Sequence, residues 1–193
     1  MKGKKILRFV SSNKNKYFDF KSIIGLNSLN IEVENLSMDV PELQGEPEFI
    51  AKEKLKYALK EAKGPLIIDD TSLCFNAICG LPGPYIKDFL AKLKPEGLYK
   101  LIEKNNDKTA YAQCIIGLGF NNNYKLFIGR TNGSIVVPRG IEKFGWDSVF
   151  QPDGFDKTYA ELNKDVKNSI SHRYKAIALM MEYLQENENI FSE

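Results

Sequence analysis

The feature that most constrains the fold is a short apolar run, Leu66-Ile67-Ile68, that leads directly into two carboxylates, Asp69 and Asp70. Such a run, entered from Gly64-Pro65, is typical of a buried strand. Because desolvating an unpaired carboxylate is costly, buried acids are normally compensated by a metal, a basic group or hydrogen bonds. The sequence therefore predicts two acids at the end of a buried strand, with a divalent cation as the natural partner that compensates them. The alternative is that Asp70 caps a turn while Asp69 faces water.

Strand and helix patterns alternate along the rest of the chain. Period-two and apolar runs predict strands at residues 6–10, 31–38, 66–69, 109–120 and 124–137. Amphipathic periodicity, capping residues and Pro47 predict helices at residues 14–24, 47–62, 85–93, 95–104 and 171–185. No repeat, low-complexity segment or linker divides the sequence. These patterns indicate an α/β fold and a single domain over residues 1–193.

Composition limits the possible classes of protein. With 43% hydrophobic and 11% aromatic residues in 193, the chain can bury a core, so disorder is excluded. The net charge of +2 comes from interleaved acids and bases, which favours local cationic pockets over a surface for nucleic acid. Three cysteines without a C-x-x-C pair, and one His, exclude a structural zinc site and indicate a reduced, cytoplasmic protein. The apolar start is interrupted by Arg8, so neither a signal peptide nor a membrane span is expected.

The first strand-to-helix junction has the composition of an anion site. It reads Ser11-Ser12-Asn13-Lys14-Asn15-Lys16, which places hydrogen-bonding side chains and two lysines where a helix begins. Backbone N–H groups at a helix start attract anions, of which phosphate is the expected one. The segment is not a P-loop, and Gly117-Leu118-Gly119 lacks the third glycine of a dinucleotide-binding loop. The alternative is an ordinary helix cap followed by solvated lysines.

Two further polar clusters lie at predicted turns. Phe144-Gly145-Trp146-Asp147 combines aromatic rings with an acid, which suits stacking and hydrogen bonding of a nucleobase, although such rings are more often core. Ser171-His172-Arg173 opens the last helix, and its alternative is a Ser cap with an exposed His and Arg. Taken singly, neither cluster decides the function.

Six motifs follow one another along the chain: Ser11 to Lys16, Pro41 to Glu46, Ile68 to Leu73, Gly80 to Tyr85, Phe144 to Asp147 and Ser171 to Arg173. Taken together, they closely resemble the inosine triphosphate pyrophosphatase family, and two segments, residues 81–87 and 150–154, look closer to its eukaryotic members. The resemblance implies hydrolysis of ITP, dITP and XTP to the monophosphate and pyrophosphate with Mg²⁺, for which Mn²⁺ is a possible substitute. It also implies a homodimer and a long mixed central sheet flanked by helices, in two lobes around a substrate cleft.

The resemblance also implies a role for individual residues. Glu42 and Asp70 match the metal-binding acids, and Asp70 matches the proton acceptor as well. Asp69 is expected to support this metal site without holding the ion. The residues expected to bind phosphate are Ser11, Ser12, Asn13, Lys14, Asn15, Lys16 and Lys54. The residues expected to contact the rest of the substrate are Thr71, Lys87, Phe144, Gly145, Trp146, Asp147, Lys167, His172 and Arg173.

The chemistry of the reaction agrees with these residue types. Cleavage between the α and β phosphates needs an activated water, a cation and basic groups on the leaving pyrophosphate. A 6-oxopurine offers an acceptor at O6, so Arg173 or His172 facing O6 would favour hypoxanthine and xanthine over adenine. Two alternatives stay open. One is another metal-dependent hydrolase, acting on modified or pyrimidine triphosphates. The other is a non-catalytic nucleotide- or RNA-binding module, which the lack of a basic run disfavours.

Overall fold

Strands and helices alternate over the first part of the chain, as the sequence predicts. The computed structural model describes residues 5–25, 30–121, 123–141 and 145–191. In them the strands are β1 (Lys5–Val10), β2 (Ile31–Leu36), β3 (Leu66–Phe75), β4 (Pro82–Gly83), β5 (Thr109–Phe120), β6 (Asn123–Ile135) and β7 (Phe150–Pro152). The helices are α1 (Lys14–Ile24), α2 (Pro47–Glu61), α3 (Ile86–Lys100), α4 (Lys164–Ile170) and α5 (His172–Glu186).

The seven strands of the described residues belong to one mixed sheet. Its order is β2-β1-β3-β5-β6-β7, and the short β4 pairs with β3. Strand β1 runs parallel to both β2 and β3, whereas β4 is antiparallel to β3 and β7 is antiparallel to β6. This arrangement confirms the prediction of an α/β fold with a mixed central sheet flanked by helices.

The chain divides into two compact units that are not continuous in sequence. The first unit comprises residues 1–70, 115–129 and 173–193, and the second comprises residues 71–114 and 130–172. The chain passes between the units within β3, β5 and β6, and the first crossing comes directly after Asp70. Each unit therefore contains part of β3, β5 and β6. The single catalytic domain over residues 1–193 stays a prediction.

The core of the first unit forms where α2 packs on the sheet. Pro47 begins this helix, at a position where the N–H that proline lacks would have no partner within the helix. The apolar face of the helix packs Leu55 into one buried cluster with Ile68. Gly117 of β5 allows this close packing, because a Cβ there would lie 3.0 Å from the Cγ1 of Ile68. The cluster consists of Val10, Ala51, Leu55, Ala58, Leu66, Ile68 and Ile115.

The core of the second unit is rich in aromatic rings. Trp146, Phe150 and Tyr159 are buried together with aliphatic side chains of β3, α3 and β5. Gly133 is required where β6 meets β7, because a Cβ at this position would lie 2.3 Å from the carbonyl oxygen of Gln151. This unit therefore buries several aromatic rings together near residues 146–159.

The structure corrects several predicted boundaries. Strand β3 does not end at Asp69 but continues to Phe75, so the two acids lie within the strand. The helix predicted for residues 95–104 ends at Lys100 and is part of α3, which is interrupted at Lys94, where φ is 58° and ψ is 174°. Pro95 explains the interruption, because proline disfavours helical geometry in the residue before it.

Other elements were not predicted at all. No strand or helix was predicted from the sequence between residues 138 and 170, where the structure has β7 and α4. The core side predicted for the last helix is confirmed, because Ile177, Met180, Met181 and Leu184 are buried. In the part of the chain that the structure describes, no helix is both long and apolar enough to span a membrane.

Candidate active site

Two predicted metal ligands of the first unit share one lysine. The Nζ of Lys54, on α2, lies 2.8 Å from Oδ1 of Asp70 in β3 and 3.2 Å from Oε2 of Glu42 in the preceding loop. Asp70 is buried, with a side chain that is 10% exposed, whereas the side chain of Glu42 is 67% exposed. The structure thus brings Glu42, Lys54 and Asp70 together, with one carboxylate fixed by the fold and the other open to solvent.

The two acids keep Lys54 charged. Burial disfavours the ammonium group, but Asp70 first and Glu42 second outweigh this effect, so the pKa of Lys54 is raised above its ordinary value. Lys54 is therefore a cation at neutral pH. It compensates the buried charge of Asp70, which explains how β3 can continue through this residue.

Asp69 is compensated by two other basic residues. Its side chain is fully buried, with Oδ1 2.8 Å from the Nζ of Lys16 and Oδ2 2.8 Å from the Nε of Arg173. Burial opposes ionisation of Asp69, but Arg173 and Lys16 outweigh it and hold the pKa of the carboxyl far below its usual range. The alternative in which Asp69 faces water is therefore wrong. Both buried acids are compensated by lysine and arginine side chains, and the divalent cation predicted as their partner stays a prediction.

A further acid extends this network. Asp19 of α1 accepts a hydrogen bond from Nη1 of Arg173, with Oδ2 at 3.5 Å. Lys16 and Asp19 lie three residues apart and so share one face of α1. The four residues form a chain of alternating charge, Lys16–Asp69–Arg173–Asp19, which begins and ends on α1 and passes through β3 and α5. We call it the charge loop.

The start of α1 is closed by its own side chains. The side chain of Asn13 accepts hydrogen bonds from the backbone N–H groups of Asn15 and Lys16 at 3.0 and 3.2 Å, and Ser11 Oγ accepts one from the N–H of Asn13 at 3.0 Å. These N–H groups were expected to be available to an anion, so the basis of that expectation changes. Binding of phosphate by residues 11–16 stays a prediction. The side chains of this segment, including that of Lys16, would have to make the contacts. Ser12 and Lys14 are exposed beside it.

The second unit holds the aromatic part of the predicted site. The ring centroid of His172 lies 5.5 Å from that of Trp146 and 6.1 Å from that of Tyr159, and Trp146 meets Phe150 edge to face at 5.7 Å. All four rings are buried. The alternative of an exposed His172 and Arg173 at the start of α5 is wrong, since Arg173 is buried in the first unit.

One ion pair accompanies these rings. The Nζ of Lys167, on α4, donates to Oδ2 of Asp147, and it lies 5.4 Å from the ring centroid of Tyr159. The side chains of Lys167 and Asp147 are 15% and 6% exposed, so the pair is largely desolvated. Together with the rings, this pair defines the aromatic cluster, whose members are Trp146, Asp147, Phe150, Tyr159, Lys167 and His172.

The remaining predicted residues are distributed between the units. Thr71 is half-buried in β3, Lys87 is exposed in the first turn of α3, and Gly145 is exposed with a φ of 56° beside Trp146; all three belong to the second unit. Phe144 lies outside the described residues. The predicted phosphate and metal residues therefore fall in the first unit, and most of the predicted base contacts fall in the second.

Three residues of these networks were not predicted from the sequence. Asp19 could have been found, because it lies three residues after Lys16 on a predicted helix. Phe150 and Tyr159 carried no local signal that separates them from ordinary core residues. Their place beside Trp146 and His172 results from packing within the second unit.

Comparison with known proteins identifies the family. The profile of the Ham1 family matches residues 7–183, and the chain therefore belongs to the Ham1 family. This membership confirms the family resemblance drawn from the six motifs.

Solved structures with this fold include two Ham1 proteins. The chain is similar to the Ham1 protein of Staphylococcus aureus, with 29% identity, a TM-score of 0.79, and coverage of 94% of this chain and 99% of that one. It is also similar to a HAM1 protein from Coxiella burnetii, with 25% identity, a TM-score of 0.83, and coverage of 94% and 98%. A third structure, the nucleoside-triphosphatase / dITP/XTP pyrophosphatase from Mycobacterium abscessus, shares the fold at 23% identity and a TM-score of 0.71, covering 91% and 98%.

Proposed function

We propose that this protein is a nucleoside triphosphate pyrophosphatase that hydrolyses ITP, dITP and XTP to the monophosphate and pyrophosphate. The Mycobacterium abscessus protein of the same fold carries the name of such an activity, but its low identity leaves the chemistry to be argued from residues. The observation that carries the proposal is the cluster in which Lys54 lies between Asp70 and Glu42. Removal of deaminated purine nucleotides from the pool is the role that this activity would serve.

The acids of the first unit fit a magnesium ion. Mg²⁺ is usually held by one or two carboxylates together with waters and substrate phosphates. Glu42 and Asp70 supply two carboxylates within reach of one lysine, which is the expected donor set. Among the described residues, no group of three or more His, Cys, Asp or Glu side chains forms a complete cage for a metal. When bound, the ion would neutralise charge that develops on the phosphates, and Mn²⁺ could replace it.

Asp70 is suited to accept a proton in this reaction. A water that attacks the α phosphorus must lose a proton as the new P–O bond forms and the bond to pyrophosphate breaks. The carboxylate of Asp70 is fixed in β3 and compensated by Lys54, so it is held ready as the acceptor. Lys54 and Lys16 would stabilise the negative charge of the leaving pyrophosphate.

The aromatic cluster of the second unit supports recognition of a purine. Trp146 and His172 supply aromatic rings to this cluster, and His172 and Lys167 carry N–H groups of the kind that donate to an acceptor such as O6. A site that pairs a 6-oxo group leaves polar groups unmatched against adenine, which disfavours ATP by large factors. GTP shares the 6-oxo edge, so its rejection requires contacts at the 2-position.

A substrate panel tests the proposal. Purified protein is assayed with ITP, dITP, XTP, GTP, ATP and dUTP, with pyrophosphate and orthophosphate measured separately, in Mg²⁺, in Mn²⁺ and in excess EDTA. We expect pyrophosphate from ITP, dITP and XTP, little from ATP, and no turnover in EDTA. Orthophosphate as the primary product, or full turnover in EDTA, contradicts the proposal. Preference for pyrimidine triphosphates supports the alternative hydrolase, and binding without turnover supports the binding module.

The homodimer and the cytoplasmic location implied by the family resemblance belong to the same proposal. Light scattering of the purified protein tests the first, with a mass near twice the 21.9 kDa of one chain expected. Microscopy of the tagged protein in its own cell tests the second.

A further inference from the structure

Arg139 joins two stretches of the second unit through its side chain. Its Nη2 donates to Oε1 of Gln151 at 2.8 Å and to the backbone carbonyl of Asp156 at 2.9 Å. Its Nε lies 3.2 Å from Oε2 of Glu161. The guanidinium presents its N–H groups as a rigid fork, so these three acceptors fix its plane as well as its position. Arg139 therefore holds residues 151–161 against the chain that follows β6.

Thr158 is held on two sides by this network. Its backbone N–H donates to Oε2 of Glu161 at 2.8 Å, and the same oxygen meets Arg139. Its hydroxyl donates to the backbone carbonyl of Arg139 at 3.0 Å, and the residue is fully buried. Arg139 thus fixes the side chain of Thr158 directly and its backbone through Glu161.

Tyr159 follows directly and belongs to the aromatic cluster. Its backbone N–H donates to the carbonyl oxygen of Phe150 at 2.9 Å. Its ring lies nearly parallel to that of His172, with an interplanar angle of 17° and centroids 6.1 Å apart. Its centroid also lies 6.2 Å from that of Trp146. Because the energy of a ring contact depends on offset and angle, the position of the Tyr159 ring affects that of His172.

The alternative is that Arg139 only stabilises the fold. The side chains of Arg139 and Glu161 are 40% and 29% exposed. Ion pairs this accessible to solvent contribute little to the free energy of unfolding, because water solvates the separated charges well. The main consequence of the network is therefore the geometry of the segment that carries Tyr159.

We propose that Arg139 is a positioning residue for base selection, which sets the ring of Tyr159 and through it the ring of His172. The proposal rests on the proposed function, in which the aromatic cluster recognises the purine. Arg139 itself need not touch the nucleotide. Its loss should therefore change the choice of base and leave the binding of phosphate as it is.

Kinetics with two nucleotides and one ligand without a base test this role. Tripolyphosphate carries phosphates only, so its inhibition constant against ITP hydrolysis reports on phosphate binding. We expect Arg139→Ala to lower the ratio of kcat/KM for ITP to that for ATP by about fivefold, the scale of one well-placed aromatic pair. The inhibition constant of tripolyphosphate should equal that of the wild type. A loss of folded protein lowers both values of kcat/KM alike, so the ratio separates positioning from stability.

Two further variants complete this experiment. Lys157→Ala is the matched control, because it removes an exposed cation from the same segment, and its ratio should equal that of the wild type. Arg139→Lys covers the case in which Arg139→Ala fails to fold. It keeps the charge, but one nitrogen cannot serve all three acceptors, so the ratio should still fall at least about twofold.

Fluorescence tests the same role without any nucleotide. Trp146 is the single tryptophan of the chain, and it lies in the aromatic cluster with only 5% exposure. If Arg139 positions the rings, the acrylamide quenching constant of Trp146 should rise at least about twofold in Arg139→Ala, because the cluster opens locally. It should not change in Lys157→Ala.

A double variant tests the route through Tyr159. Tyr159→Leu keeps an apolar side chain and removes the ring. Because Arg139 acts through this ring, adding Arg139→Ala to Tyr159→Leu should change the ratio of kcat/KM less than about twofold.

Two results would overturn the proposal. One is a wild-type ratio of kcat/KM in both Arg139 variants, which leaves Arg139 a structural residue. The other is a further large fall of the ratio in the double variant, which means that Arg139 does not act through Tyr159. Failure of the proposed function gives a different result, in which the wild type releases no pyrophosphate from any nucleotide. The ratio of the dissociation constants of ITP and ATP, measured by calorimetry, then decides the role of Arg139 in the same way.

Discussion

At the predicted site, the first unit supplies alternating acids and bases, and the second unit supplies aromatic rings with one ion pair. In the charge loop and in the Glu42–Lys54–Asp70 cluster, acids and bases alternate among β3, the helices α1, α2 and α5, and the loop before α2. The aromatic cluster contains four buried rings and the ion pair of Asp147 with Lys167. Charges attract any phosphate, whereas ring faces and a few polar groups discriminate between bases. The contrast indicates that chemistry and base choice are built into different parts of the chain.

The largest effect expected is on the chemical step in the first unit. Asp70→Asn removes the charge that holds the metal and accepts the proton, so turnover of ITP should fall by about 10² to 10⁴. Asp153→Asn, the same change at an exposed acid of the second unit, should leave turnover unchanged. Steady-state rates in saturating Mg²⁺ decide the question. Near-normal turnover in Asp70→Asn would move the proton acceptor to another residue and break the assignment of chemistry to the first unit.

The next effect is on stability. It compares the ion pair of Lys167 with Asp147 in the second unit and that of Lys54 with Asp70 in the first. Lys167→Met strands the carboxylate of Asp147, which is 6% exposed, so the free energy of unfolding should fall by about 3 kcal/mol. Adding Asp147→Leu should restore most of it. Lys54→Met should cost less, because Asp70 retains 10% exposure and Glu42 is open to solvent. Urea unfolding measures all of these variants. Equal losses for Lys167→Met and Lys54→Met would show that burial does not distinguish the two pairs.

A smaller effect is expected on base selection. His172→Ala removes a ring from the aromatic cluster, so the ratio of kcat/KM for ITP to that for ATP should fall about tenfold, or about 1.4 kcal/mol in transition-state binding. Inhibition by tripolyphosphate should not change. Tyr183→Ala, which removes a ring from the first unit, is the comparison and should keep the ratio of the wild type. A tripolyphosphate constant that rises in His172→Ala would mean that the aromatic cluster also contributes to phosphate binding.

The smallest effect is the acid sensitivity of the charge loop. Because the pKa of Asp69 is depressed in the folded protein, its contribution to stability is complete above the unfolded pKa of about 3.9. Below that pH the carboxyl of Asp69 binds a proton in the unfolded chain but not in the folded protein. The free energy of unfolding should then fall by up to about 1.4 kcal/mol per pH unit. Between pH 5 and 3, wild type should lose about 1 kcal/mol more than Asp69→Asn. Parallel curves for the two proteins in urea titrations would contradict this pairing.

Much of the fold followed from local signals. The predicted bounds of α1 and β5 agree with the structure, because Asn13 caps the first and an unbroken apolar pattern defines the second. Pro47 likewise marked the start of α2. The residue types of the predicted site also followed from the sequence. The order of the motifs along the chain carried the family resemblance, and the Ham1 match confirmed it. Periodicity, caps and motifs are properties of neighbours in sequence, and the sequence alone therefore determines them.

The partners of the buried groups were decided only by the tertiary structure. Asp69 pairs with Arg173 across 104 residues, and no local pattern encodes a contact between positions so far apart. The same pairing explains why β3 continues past its two acids, since a strand can bury a carboxylate only where another element delivers the opposite charge. Trp146, Tyr159 and His172 were likewise brought together by packing. Which acid pairs with which base depends on how the helices and strands assemble. The packing of the whole core determines this assembly, and no single segment does.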